Sequence, residues 1–211
     1  MKLAPQSEPS WAYQLQTLLY SLLLSSVLVA MLSFAISAHA QPNISQENNR
    51  ESSGESKRDA AWRAEIAPGH LLGSGDLNWF GFHIYSAKLW SSASVFNVDS
   101  KFALELTYHK NISRERFVDT SLEEMTRLYG EQFSQAQLQR WKEYMQQAFT
   151  DVKKGDQLIG VNLPGIGCRF YNRDKLLAEI KDPAFARAFF GIWFDARSKD
   201  RKLRQNLLGA P

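Results

Sequence analysis

One cysteine, Cys168, occurs in a chain of 211 residues. A lone thiol cannot form an intramolecular disulfide. It sits in an apolar, strand-like run, where a thiol is most often buried and inert; a nucleophile would need a neighbouring base, for which the pattern offers nothing. Histidine is nearly as sparse, with four in the chain: beyond His39 in the N-terminal segment, His70, His83 and His109 show no H-x-x-x-H or Cys/His spacing, so nothing points to a metal site, and no motif points to a cofactor. Charge of one sign is lacking too. The 25 Lys and Arg stand against 22 Asp and Glu, a net charge of +3, and the basic residues are interspersed with acidic ones rather than gathered into a stripe. That leaves no electrostatic footprint for a nucleic acid. Ser74 has no G-x-S-x-G elbow between a strand and a helix, which excludes serine hydrolysis of that type.

Long apolar runs are absent but for one, from about Leu18 to Ile36. With Lys2 near the start and Ala38-His39-Ala40 before Gln41, residues 1–40 read as an export signal, which places the remainder in the periplasm or outside the cell. The run approaches the roughly 20 residues that span a bilayer. An uncleaved inner-membrane anchor is therefore the alternative, and membrane contact is expected only through this segment. No Cys follows it, so lipid attachment there is excluded. Residues 41–60, "QPNISQENNRESSGESKRDA", are almost wholly polar and cannot bury enough apolar surface to offset their ordering entropy; they read as a disordered tether. One domain is expected over residues 61–211.

What the chain has in plenty is aromatic residues: 13 Phe, seven Tyr and six Trp. Phe80, Phe82 and Ile84 alternate with His83, Tyr85, Ala87 and Leu89, a strand covered on both sides. Phe102, Leu104, Leu106 and Tyr108 alternate with Ala103, Glu105 and Thr107, a half-buried strand. The period then changes. Ser113 caps a helix that carries Phe117, Leu122, Met125 and Leu128 on one face, with Ile112 and Phe117 as a hydrophobic staple. Ser134 and Gln137 open a second helix, with stripe Leu138, Trp141, Met145 and Phe149. Residues 157–180, broken at Pro164-Gly165 and Asn172-Arg173-Asp174, read as a three-stranded meander. Asp182 caps and Pro183 begins a helix, "AFARAFFGIWF", apolar nearly all round; a last helix runs from Ser198 to about Leu208 and stops at Gly209. Segregated strands and helices predict an α+β fold, an antiparallel sheet with helices on one face.

Chemistry is thinner. Gly73-Ser74-Gly75 resembles the start of a phosphate loop but leads into a strand, not a helix, so it reads as a tight turn. Glu123 and Glu124 beside Arg116 and Arg127 read as a solvated, charge-balanced face. His83 and Tyr85, two residues apart on one strand face, would lie about 7 Å from each other and could address one ligand as acid and base.

Taken together, "GSGDLNWFGFHIYSAKLW", "FALELTYHKNIS", the helix pair and "DPAFARAFFGIWFDARSKDRKLRQNLLG" resemble the bacterial chalcone isomerase-like domains from about Ala61 to Gly209. The resemblance implies an open-faced β-sandwich: a curved antiparallel sheet, helices over one face and a hydrophobic cleft between. Plant members of the family close a chalcone to a flavanone in that cleft, while others bind fatty acids without catalysis. The family's Arg after the Gly-x-Gly turn, which stabilises negative charge, matches Leu77 here. Its strand Thr matches Tyr85, a Tyr at the start of the first helix matches Phe117, and a Thr on the late helix matches Ile192. Only Tyr85 keeps a polar group. The resemblance thus implies Leu77, Tyr85, Phe117 and Ile192 as ligand-binding residues with no catalytic residue, the strand pattern adds His83 as a polar group beside them, and the partner implied is lipophilic, a fatty acid or an aromatic. An isomerase or lyase using Tyr85 and His83 is one alternative, an envelope protein-interaction module another.

Overall fold

The computed structural model describes residues 60–173 and 175–209; the expected leader and nearly all of the tether lie outside them. Six strands run as one antiparallel meander in chain order: β1 (His70–Trp79), β2 (Phe82–Ser91), β3 (Phe102–Tyr108), β4 (Gln157–Leu163), β5 (Gly167–Tyr171) and β6 (Leu176–Ile180). Among the described residues five α-helices accompany the sheet: α1 (Ala60–Glu65), α2 (Arg114–Tyr129), α3 (Gln135–Ala148), α4 (Pro183–Phe194) and α5 (Arg201–Leu207). None is long and apolar enough to cross a membrane.

Local signals set most helix starts. Ser113 Oγ accepts from Arg116 N, Ser134 Oγ from Gln137 N, and Asp182 Oδ1 from Phe185 N, with Pro183 leading α4. Each cap satisfies a backbone donor that the helix itself cannot. The last helix differs from expectation. Asp200, not Ser198, caps α5 by accepting from Leu203 N, while Ser198 Oγ donates to the Ile192 carbonyl.

The main core lies between the sheet and α2, α3 and α4. Leu89, Phe102, Leu104 and Phe170 face Met125, Trp141, Phe185 and Phe190, all buried. Helix α4 shows why its sequence is apolar nearly all round: eight of its residues are buried, with the sheet on one side and α2 on the other. Gly191 allows the second contact, since a Cβ there would stand 2.2 Å from the Tyr129 hydroxyl oxygen.

The opposite face of the sheet is not bare. Trp62 and Ile66, on and just after α1, pack with Ala103, Ile159 and Val161 in a second, smaller core. β3 is therefore buried on both faces, not half-buried as its alternation predicts. Even Glu105 is covered, accepting hydrogen bonds from Trp90 Nε1 and Gln157 Nε2.

Two further expectations are corrected. Gly73-Ser74-Gly75 lies within β1 rather than at a turn, because α5 crosses directly over it. A Cβ on Gly73 would meet the carbonyl oxygens of Asn206 and Leu207 at 2.1 and 2.5 Å, so the glycine is needed for close approach of two backbones. The tight turn is Phe80-Gly81, between paired Trp79 and Phe82. Glu124 is buried rather than solvated; it accepts from Arg127 and is paired with Lys199, and those hydrogen bonds hold its carboxyl below the ordinary range despite burial.

Candidate functional site

Leu77 and Tyr85 are cross-strand partners at the end of the β1–β2 hairpin nearest its tip. Both pack, partly buried, against the main core, as do Phe117 in the first turn of α2 and Ile192 on α4. Tyr85 is tied to α4 by Trp193 Nε1, which donates to its hydroxyl over 2.9 Å. From there rings run in sequence across the inner face. Tyr85 meets Tyr108 edge-on at 5.9 Å, Tyr108 meets Phe117 at 6.1 Å, and Phe117 stacks on Phe149 at 4.7 Å.

His83 is elsewhere. The register passes from Leu77 opposite Tyr85 to Asn78 opposite His83, so Ile84 is an extra residue in β2, a β-bulge. The bulge absorbs one step of the alternation and turns His83 to the outer face, where it meets Ser86, Tyr85's outward-facing neighbour. The expected placement of His83 and Tyr85 on one strand face is therefore overturned. A shared acid–base pair is not formed.

On the inner face of the sheet the electrostatics are those of two neutral phenols. Burial pushes the pKa of Tyr85 well above its ordinary value, the bond from Trp193 opposing that shift, and burial does the same to Tyr108. Both remain protonated donors at any physiological pH. The Tyr108 hydroxyl is buried with no hydrogen-bond partner, a costly arrangement in an apolar setting. Tyr85's hydroxyl accepts from Trp193, and its own proton has no acceptor among the described residues. Sequence reasoning missed Tyr108 because alternation marks it only as one more core ring.

Of two cavities among the described residues, one adjoins this region through Phe117 and the other lies at the opposite end of β2. The smaller, about 330 Å³, is walled by Phe117, Phe149, Leu158 and Leu177, with Arg173 and Gln157 among its polar lining. Its Phe117 wall is the ring that packs on Tyr108. The larger, about 800 Å³, is broad and lies under the β2–β3 loop, lined by Val95, Phe96 and Val98 with Phe194 and Asp195 of the α4 end. Neither is lined by Leu77, Tyr85 or Ile192.

On the outer face, Ser86 Oγ donates to Asp76 Oδ1 at 2.7 Å and lies 3.0 Å from His109 Nε2 and 3.3 Å from His83 Nε2, whose rings stack at 3.9 Å. The Ser86 hydrogen bond, with the two histidines nearby, lowers the Asp76 pKa. Serine here serves a carboxylate rather than a base, which is not the polarity that activates a nucleophile. Among the described residues no group of three His, Cys, Asp or Glu could hold a metal ion.

The fold is an open antiparallel meander whose inner face is closed by helices over a row of rings. The family model described as chalcone isomerase-like matches residues 71–209, and the chain belongs to that family. A protein of Haemophilus influenzae described only as uncharacterized is 30% identical over 147 residues, 69% of this chain and 71% of that one. A fatty-acid binding protein of Arabidopsis thaliana has a similar fold, with a TM-score of 0.52 and 13% identity over 68% of this chain and 88% of its own. At that identity the likeness speaks for the fold.

Proposed function

We propose that the domain is a non-catalytic carrier or sensor of a lipophilic small molecule, held between the sheet and α2 with its polar head on the hydroxyls of Tyr108 and Tyr85. The observation that carries this reading is the Tyr108 hydroxyl, buried without a partner beside a second phenol whose proton is also undonated. Two neutral donors among rings recognise an acceptor such as a carbonyl. With Leu77 at the family's arginine position, no guanidinium from that position supports a carboxylate, so an uncharged acceptor is favoured: an ester, an aromatic ketone or a protonated fatty acid. Entry is through the cavity beside Phe117, whose ring, in the first turn of α2, separates that cavity from Tyr108. The fatty-acid binding of the Arabidopsis neighbour agrees with a lipophilic ligand. Export to the periplasm, suggested by residues 1–40, is part of the same proposal.

Native mass spectrometry of protein purified from its natural host tests it. The expected result is a co-purifying lipophilic molecule, displaced by a fatty-acid methyl ester more readily than by the free acid at neutral pH. A protein that never retains a ligand and binds neither probe would overturn the reading.

A further inference from the structure

The tip of the β1–β2 hairpin spends conformational energy for no gain in folding. Phe80 and Gly81 form a two-residue turn with φ of 46° and 78°, the geometry for which Asn-Gly or Asp-Gly is preferred. A phenylalanine holds the left-handed position instead, and it is 83% exposed. Trp79, whose ring centroid is 4.7 Å from that of Phe80, and Phe82 are 47% and 46% exposed. Asparagine would relax the turn, and a ring left in water contributes nothing to the core.

Cations border this apolar tip. Lys110 Nζ lies 5.1 Å from the Phe82 ring centroid. The loop after α3 joins the same end of the sheet: Tyr108 N donates to the Asp156 carbonyl, and Lys154 N donates to Asn111 Oδ1. Lys153 and Lys154 are exposed there. The acids of that loop are engaged by backbone, Asp151 accepting from Arg114 N and Asp156 from Lys153 N.

We propose that this end of the sheet docks on an anionic lipid bilayer, with Trp79, Phe80 and Phe82 inserted at headgroup level and Lys110, Lys153 and Lys154 against the lipid phosphates. Aromatic rings and flanking lysines are the residues that favour that interface. The three rings expose about 350 Å², taking roughly 200 Å² per aromatic side chain, less than half of the 800 Å² or so that each partner gives to a stable protein complex. A protruding tip with a basic border suits a deformable anionic surface better than a second copy of itself. The inference stands apart from the ligand reading, since it concerns the exterior of the hairpin.

The test uses the full chain, with an environment-sensitive dye on Phe80→Cys or, as a control, on Val95→Cys, which is 76% exposed in the β2–β3 loop at the far end of β2. The native thiol, Cys168, is fully buried and stays unlabelled. Vesicles are phosphatidylcholine alone or mixed equally with phosphatidylglycerol. The expected result is a blue shift at position 80, quenched by nitroxide-labelled acyl chains, on anionic vesicles only, with no shift at position 95. Each of Lys110→Ala and Lys153→Ala should raise the lipid concentration for half-maximal shift by about fivefold, and added salt should do likewise. No shift at position 80 would overturn the proposal. So would equal shifts at both positions, which would assign contact to the N-terminal segment, or a shift that grows with protein concentration without vesicles, which would mean self-association.

Discussion

Replacing Tyr108 with Phe removes one buried oxygen and leaves everything else in place. The ring keeps its edge contacts with Tyr85 and Phe117 at 5.9 and 6.1 Å, and no hydrogen bond is lost, because the hydroxyl has no partner. An unsatisfied buried hydroxyl costs about 1–3 kcal/mol. The variant should therefore be more stable by about 1–2 kcal/mol, unlike most core substitutions. With an m-value of about 4 kcal/mol/M in guanidinium, the midpoint should rise by about 0.3–0.5 M. Ligand binding should move the other way. Loss of one donor to an ester or ketone head weakens affinity by about 5–15-fold, corresponding to about 1–1.5 kcal/mol for a neutral hydrogen bond. Equilibrium denaturation and titration with a fluorescent fatty-acid ester read the two effects separately. A loss of more than about 1 kcal/mol would mean that the hydroxyl is satisfied in the folded protein, and the argument for a waiting donor would fail. A gain in stability with unchanged affinity would show that the ligand does not reach Tyr108.

Stability should be lost in alkali with a defined sign. The folded-state pKa values of Tyr85, Tyr108 and Cys168 are raised by burial above their ordinary 10.0, 10.0 and 9.0, so their contribution is intact below about pH 9 and lost above it as the unfolded chain gives up protons first. Each group adds about 1.4 kcal/mol per pH unit beyond its unfolded pKa, and the slope of denaturation free energy above pH 10 should become shallower in Tyr85→Phe/Tyr108→Phe; an unchanged slope would refute this account. Gly73→Ala should cost about 1–3 kcal/mol, the usual range for overpacking, and hydrogen exchange should show faster opening of α5, since the new methyl meets backbone oxygens at 2.1 and 2.5 Å; unaltered protection of α5 would place that helix elsewhere. Trp193→Ala should cost about 3–5 kcal/mol in chemical denaturation, combining a cavity in α4's contacts with a lost bond to Tyr85; a loss under about 1 kcal/mol would contradict its burial.

Elements whose determinants are local were legible in the sequence. Ser113, Ser134 and Asp182 act within three residues of themselves, and a period of 3.6 or 2 needs no knowledge of the partner element. What was hidden depends on segments that meet only in the fold. Glu124 looks solvated beside Arg127 until Lys199 arrives from the far end of the domain. Gly73 looks like a turn until α5 lies across it. The outer face of β3 looks wet because α1, only six residues long, is too short to show a period and adjoins a polar stretch. The placement of the candidate residues was half legible. Leu77, Tyr85 and Phe117 do gather on the inner face, whereas His83 was misplaced because a bulge is a property of two paired strands, not of either alone. Tyr108 was invisible as a donor, since nothing in an alternating pattern says whether a hydroxyl finds a partner.

The extra residue at Ile84 also divides the hairpin into two parts that answer to different constraints. Below it, inward and outward positions are locked to the core through Tyr85, Ala87 and Leu89. Above it, the count of residues has been decoupled from that lock, because a register step has already been absorbed. Substitutions, and even changes of length between Asn78 and His83, can therefore accumulate at the tip without reversing a single core side chain. The hairpin behaves as a fixed stem carrying an exchangeable head. Within one lineage of this fold, the stem should vary slowly with the cleft while the head is free to follow whatever surface the protein meets.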